Sequence, residues 1–258
     1  MKHIHEKEQK AFTAERELDQ IFKGKYDFTS EGKSYSTENF IVLRDNGNNH
    51  YIYISDIHSS VSTGEFLKIK VIYEVTANFD PFHVAIIKSM GKQTTTEHYK
   101  LDPKTKDLIY TFENPSRQSI GKIEKTINGK FQISTPAFLP SIIITVNKKI
   151  ESVGRTKVNF VATKNTWRHS SIEFTESEAF LEAVTIKDAE LNINGKVLYY
   201  SLFVLHQHDV GSSGNEDEVL EFYVSKHLAI PYKAVIPGNV EIIVKNLVNT
   251  ETPYKGMF

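Results

Sequence analysis

The chain has no cysteine among its 258 residues. That excludes disulfides, thiolate metal sites and a cysteine nucleophile together. The absence suits the cytosol, and equally an envelope protein built without disulfides. Net charge is almost absent as well. The 31 Lys and Arg against 32 Asp and Glu leave a formal -1, which gives no general pull towards nucleic acid. No run approaches the ~20 consecutive apolar residues of a spanning helix, so no transmembrane segment is expected. Residues 1–20 are charged throughout and lack the apolar centre of a secretory signal. Two histories fit: a cytoplasmic protein, or a periplasmic or cell-envelope protein whose targeting segment has been removed. The His3-Ile4-His5 start is either native or a cloning remnant. No P-loop, no Gly-x-Gly-x-x-Gly and no Gly-x-Ser-x-Gly elbow occurs. Nothing in the sequence implies a cofactor or names catalytic residues.

What is present is turn chemistry. Asn46-Gly47, Asn128-Gly129, Asn194-Gly195 and Pro237-Gly238-Asn239 each sit between alternating apolar and polar runs. Asn-Gly suits a two-residue hairpin because both central residues tolerate positive φ, matching the twist of the flanking strands. Residues 67–75 alternate Leu67, Ile69, Val71, Tyr73 and Val75 with mostly polar neighbours, which predicts a strand with one face in a core. Strands are also expected at 40–44, 50–57, 84–88, 98–101, 108–112 and 119–127. In the second half they are expected at 158–163, 171–175, 180–193, 196–206, 219–224, 232–236 and 240–247. Residues 130–134 are read as the second arm of the Asn128-Gly129 hairpin. The Ile142-Ile143-Ile144 run reads as a buried strand or a helix segment. Residues 6–22 carry a loose helical stripe of Phe12, Leu18, Ile21 and Phe22, which predicts a helix lying against a sheet.

The expectation is a mainly β protein of strongly curved antiparallel sheets, a half-barrel or open barrel with a short N-terminal helix. The organisation would be a helix over 1–24, one curved half over 25–150 and a second over 151–258, the two meeting near 147–154.

Three candidate sites follow. His206 and His208, at i and i+2 on a strand, point to one face and are spaced to share a metal, with Asp209 beside them. The pattern is similar to the His-x-His of cupins, without that family's following Glu and glycine spacing. His58, Asp56, His83, His98 and His169 form a dispersed second set, which lone structural histidines explain equally well. The third candidate is the aromatic inventory of 16 Phe, 12 Tyr and 1 Trp. Residues 197–205 are apolar on both faces, so that strand must be covered twice. Tyr73, Tyr199 and Phe203, with Trp167 at a rim, are candidate ligand-binding residues in a concave groove.

Three segments carry a resemblance: Phe79-Asp80-Pro81-Phe82-His83-Val84, then Lys88-Ser89-Met90-Gly91, then Glu97-His98-Tyr99-Lys100-Leu101-Asp102. With the closing strands around Phe222-Tyr223-Val224-Ser225 and Val240-Glu241-Ile242-Ile243-Val244, the order is similar to a bacterial domain-of-unknown-function family of curved β-sheet proteins. The resemblance runs over residues 40–247. It implies an envelope-associated protein whose half-open sheet, similar to lipoprotein carriers, holds acyl chains in an apolar concave face. The leading expectation is therefore a non-enzymatic carrier of a hydrophobic small molecule or lipid. The alternatives are a metal-dependent enzyme using His206 and His208, and an interaction scaffold with a protein partner.

Overall fold

A computed structural model describes residues 6, 9–10, 12–14, 16–61, 64–114, 119–127, 129–146, 154–163, 174–184, 189–207, 218–225 and 230–250. Its first eight strands run β1 Leu18–Ser30, β2 Lys33–Asp45, β3 His50–Ser60, β4 Phe66–Val75, β5 Pro81–Met90, β6 Gln93–Leu101, β7 Asp107–Asn114 and β8 Ser119–Thr126. They form one antiparallel meander in which each strand pairs with the next. A two-residue strand, β9 Gln132–Ile133, then leads into helix α1 Phe138–Ser141 and a 3-10 turn, Ile142–Thr145. The remaining strands are β10 Arg155–Thr163, β11 Phe174–Val184, β12 Glu190–Ile193, β13 Lys196–Gln207, β14 Glu218–Ser225, β15 Pro231–Ile236 and β16 Val240–Asn249. β16 returns to pair with β1, so the first and last strands join the two meanders into a single sheet.

The fold is mainly β, as the alternation predicts, and the turns explain the register. Asn194 and Gly195 both take positive φ, 54° and 77°, the geometry of the two-residue hairpin between β12 and β13. At the β2–β3 turn the Asp45 carboxylate accepts the Gly47 and Asn48 amides at 3.0 and 3.1 Å. Gly238 and Asn239 likewise turn β15 into β16 with positive φ.

The sheet does not close. Its terminal strands β8 and β9 are not hydrogen-bonded to each other. Instead β9 pairs in parallel with β10, and β10 is tucked against the first meander by side chains. Thr163 donates to the Glu97 carboxylate at 3.0 Å and lies 3.0 Å from the Tyr99 hydroxyl. Tyr110 donates to the same carboxylate at 3.1 Å and Lys88 at 2.7 Å. Glu97 thus ties three strands of one meander to β10 of the other. The expected hairpin of residues 119–134 is corrected here, because β9 has left β8 and joined β10. The strand expected over 180–193 is two, β11 and β12, and both pair with different parts of β13.

The N-terminal helix is also corrected. Residues 18–22 are strand, and the helix of the fold lies mid-chain, in the α1 and 3-10 segment. Upstream, one helical turn is closed where Ala14 N–H donates to Lys10 O at 2.8 Å. Its Phe12 covers the outer face of β2 to β5, packed with Leu43, Ile52, Ile54, Ile72 and Ala85. Arg16 fixes this strap through Glu74 at 2.8 Å. The expectation that the N-terminal segment lies against a sheet therefore holds, with strand taking over from Leu18 onward.

The inner face carries the main core. Tyr26, Phe40, Val71, Tyr73, Tyr99, Tyr110 and Phe112 from the first meander join Leu181, Phe203, Phe222 and Val244 from the second. Between them lies a plug, residues 131–146, whose Phe138, Leu139, Ile142, Ile143 and Ile144 are all buried. No helix of the described residues is long and apolar enough to cross a membrane.

Candidate ligand site beside the plug

The plug stays inside because its polar backbone is satisfied there. Glu38 on β2 points inward and is fully buried. One carboxylate oxygen accepts the Phe138 amide at 2.7 Å, and the other accepts the Leu139 amide at 3.1 Å and the Ser55 hydroxyl at 2.6 Å. These are the donors that a helix start leaves without partners. Burial pushes the Glu38 carboxyl above the ordinary carboxylate range, while these three hydrogen bonds pull it down. Directly across the strand pair stands Tyr26. Its ring stacks on Phe40 at 4.7 Å and meets Phe138 edge-on at 4.9 Å. The Tyr26 hydroxyl is buried without a hydrogen-bond partner among the described residues. Burial, then the charge of Glu38, raises its pKa well above the usual phenol value.

Between the plug and the second meander lies a cavity of about 290 Å³. The sheet contributes Phe28, Phe160, Leu205, Phe222 and Ile242, and the plug contributes Phe138 and Ile144. Its polar lining is Gln132, Ser134, Thr135, Ser141 and Ser177, and no charged residue lines it. The volume is at the lower end of small-ligand pockets. Two other cavities flank the β9–β10 strip, of about 170 and 510 Å³, and charged residues (Asp80, Lys130, Lys157, Glu176 and Glu178) stand in their walls. The apolar cavity is the one suited to a hydrophobic ligand.

The expected ligand-binding residues are not gathered in it. Tyr73 is buried core, where its hydroxyl donates to Gln132 Oε1 at 2.9 Å and accepts the Ile133 amide at 3.0 Å. It anchors the plug from behind. Phe203 is buried and shares an inner face with Leu205, Phe222 and Leu220, its register neighbours. Tyr199 stands on the β12–β13 hairpin and is 54% exposed. Trp167 lies outside the described residues.

His206 is placed on the opposite face of β13 from Phe203 and Leu205, by strand alternation. Its Nε2 is 3.1 Å from Glu182 Oε2, an oxygen that Arg155 also approaches at 3.3 Å. His208, Asp209 and His169 lie outside the described residues. Among the described residues no cluster of three His, Asp or Glu side chains is placed to hold a metal. Of the dispersed set, His83 and His98 have ring centroids 5.6 Å apart. Asp56 turns to Lys70 at 3.2 Å, and His58 is exposed.

Glu38 and the plug were not legible as a site. A signal for Glu38 does exist. Ser36, Glu38, Phe40 and Val42 share one strand face, so an acid stands in a row that turns apolar.

An incompletely closed, largely antiparallel sheet holding an apolar plug and a cavity is a β-barrel-like architecture. The same fold is found in the crystal structure of a β-barrel-like protein of a domain of unknown function, DUF1849, from Brucella abortus. The two match with a TM-score of 0.55 and 7% sequence identity over 89% of this chain and 96% of that one. At that identity the likeness shows the fold alone. No family model matches the sequence, and no curated protein matches it.

Proposed function

We propose that the protein is a non-enzymatic binding protein for a small hydrophobic or single-chain acyl ligand, held in the cavity beside the plug. One observation carries the reading: a half-open cavity of about 290 Å³ with aromatic and aliphatic walls and no charged residue in its lining. Each Å² of apolar ligand surface removed from water there contributes roughly 25 cal/mol, so affinity would rest on area. The polar residues of the lining orient a ligand without demanding a charge. The β-barrel-like neighbour is compatible with a binding architecture and supplies no ligand.

The test is native mass spectrometry of the untagged protein before and after organic extraction, followed by calorimetric titration of the extracted protein with ten-carbon amphiphiles. An extractable mass excess, or saturable binding lost in Leu220→Asp, supports the reading. Leu220 lines the cavity and is only half-buried, so a folded variant is expected. The reading fails if the wild-type protein neither carries nor takes up such molecules, or if folded Leu220→Asp binds them equally well.

A further inference from the structure

The plug is tied to the sheet mainly at its start: Gln132 and Ile133 pair with Phe160 and Val161, the Ser134 amide donates to Val161 O at 2.9 Å, and the Tyr73 hydroxyl bridges Gln132 and the Ile133 amide. Beyond these, Glu38 is the one sheet residue among those described that hydrogen-bonds to residues 136–144. The rest of its hold is apolar. The Phe138 ring lies 4.9 Å from Tyr26, 6.5 Å from Phe28 and 6.3 Å from Phe222. Phe28 and Phe222 also line the cavity. The stretch therefore presents to the sheet what a ligand would present: apolar groups on aromatic walls, and N–H donors on one buried carboxylate.

Resting on the binding reading above, we infer that residues 136–144 are a displaceable occupant of the concavity, and that the ligand replacing them is a neutral single-chain lipid whose head carries a hydroxyl or amide donor. Glu38 takes the donor of that head in place of the Phe138 amide. The chain takes the place of the Phe138 ring and runs into the adjoining cavity. The Tyr26 hydroxyl, opposite Glu38 and without a partner among the described residues, is available to the oxygen of the same head. The polarity of this point excludes an anionic head, and an ammonium head would give up its hydration for a single buried carboxylate that Ser55 already shares. No cation lines the cavity, and a buried carboxylate beside a second anion costs far more than it returns. A ligand displaces the stretch only to the extent that it binds the open arrangement more tightly than the closed one.

The test compares three ten-carbon probes, 1-decanol, decanamide and decanoate at pH 8, on the wild-type protein. Decanol and decanamide are expected to bind at least about tenfold tighter than decanoate, a difference of about 1.4 kcal/mol. Amide hydrogen exchange at Phe138 and Leu139 is expected to quicken when decanol binds. In Glu38→Gln one acceptor becomes a donor facing an N–H, so the plug is held less tightly and the charge is gone. The gap between decanol and decanoate should then narrow. If that variant fails to fold, the wild-type head-group order and exchange decide alone. Decanoate binding as tightly as decanol, or Phe138 and Leu139 amides that become more protected, overturns the inference while the cavity reading stands. Absence of binding by all three probes overturns both.

Discussion

Glu38 and Phe138 are 100 residues apart in the chain and 2.7 Å apart in space. A buried side-chain acceptor on β2 and a main-chain donor in the plug decide together that the concavity is filled. Removing the acceptor strands two interior N–H groups, each costing about 1–3 kcal/mol. Glu38→Ala is therefore expected to lower unfolding stability by roughly 2–6 kcal/mol. Ser55→Ala, which deletes only the hydroxyl on Glu38, should cost about 1 kcal/mol. Urea unfolding of both variants measures this. A cost for Glu38→Ala no larger than that of Ser55→Ala would mean the capping bonds contribute little.

Tyr73 offers a separation of structure from binding. Its hydroxyl bridges Gln132 and the Ile133 amide behind the plug. Tyr73→Phe keeps the ring and leaves that buried amide unpaired, so a loss of about 1–3 kcal/mol is expected. Affinity for ten-carbon probes should change little in folded protein, since Tyr73 is not in the cavity wall. A large loss of affinity with unchanged stability would place Tyr73 in the ligand site after all.

Gly24 illustrates a close approach. A Cβ there would stand 2.4 Å from the Asn246 carbonyl oxygen and 2.5 Å from the Phe40 ring. The ring covers the glycine of the neighbouring strand, and the carbonyl belongs to β16, the strand that joins the two meanders. Gly24→Ala is expected to destabilise by about 2 kcal/mol or more, through overpacking. Gly24→Ala with Phe40→Leu should recover only part, because the carbonyl clash remains. Full recovery in thermal unfolding would show that the ring alone sets the limit.

Most strands were legible because period-two alternation and Asn-Gly turns are local signals. What was lost depends on distant partners. The first five residues of β1 read as the end of a helix in sequence because Leu18, Ile21 and Phe22 continue a helical stripe from Phe12. In the sheet, the register with β2 shifts between Gln20 and Phe22, a bulge that buries both Ile21 and Phe22. Residues 130–134 read as a hairpin arm because the turn chemistry favours it. The tie of Thr163 to Glu97 and the pull of Tyr73 on Ile133 place β9 elsewhere, and no local pattern encodes that. Phe203 was legible as part of an apolar strand face, but the cavity could not be read from it. The cavity walls, Phe28, Leu205, Phe222 and Phe138, come from separate parts of the chain and meet only on folding.

His83 makes the strap sensitive to acid. Its imidazole stacks on Phe12 at 4.2 Å and sits opposite Lys100 in the strand register, with Glu74 on its other side. Burial, then the positive neighbours His98, Lys100 and Arg16, lowers its pKa from 6.5 to about 3. The unfolded chain therefore binds a proton below about pH 6.5 that the folded chain refuses until about pH 3. The contribution is complete above the unfolded value and is lost as pH falls through that window, at up to about 1.4 kcal/mol per pH unit. His83→Phe preserves the stack and removes the titration. Between pH 7 and pH 4 the urea midpoint of the wild type should fall more steeply than that of His83→Phe, with the excess confined to pH below 6.5. Parallel pH profiles would show that His83 protonates in the folded protein as readily as in the unfolded one, and that the strap is not held by a neutral imidazole.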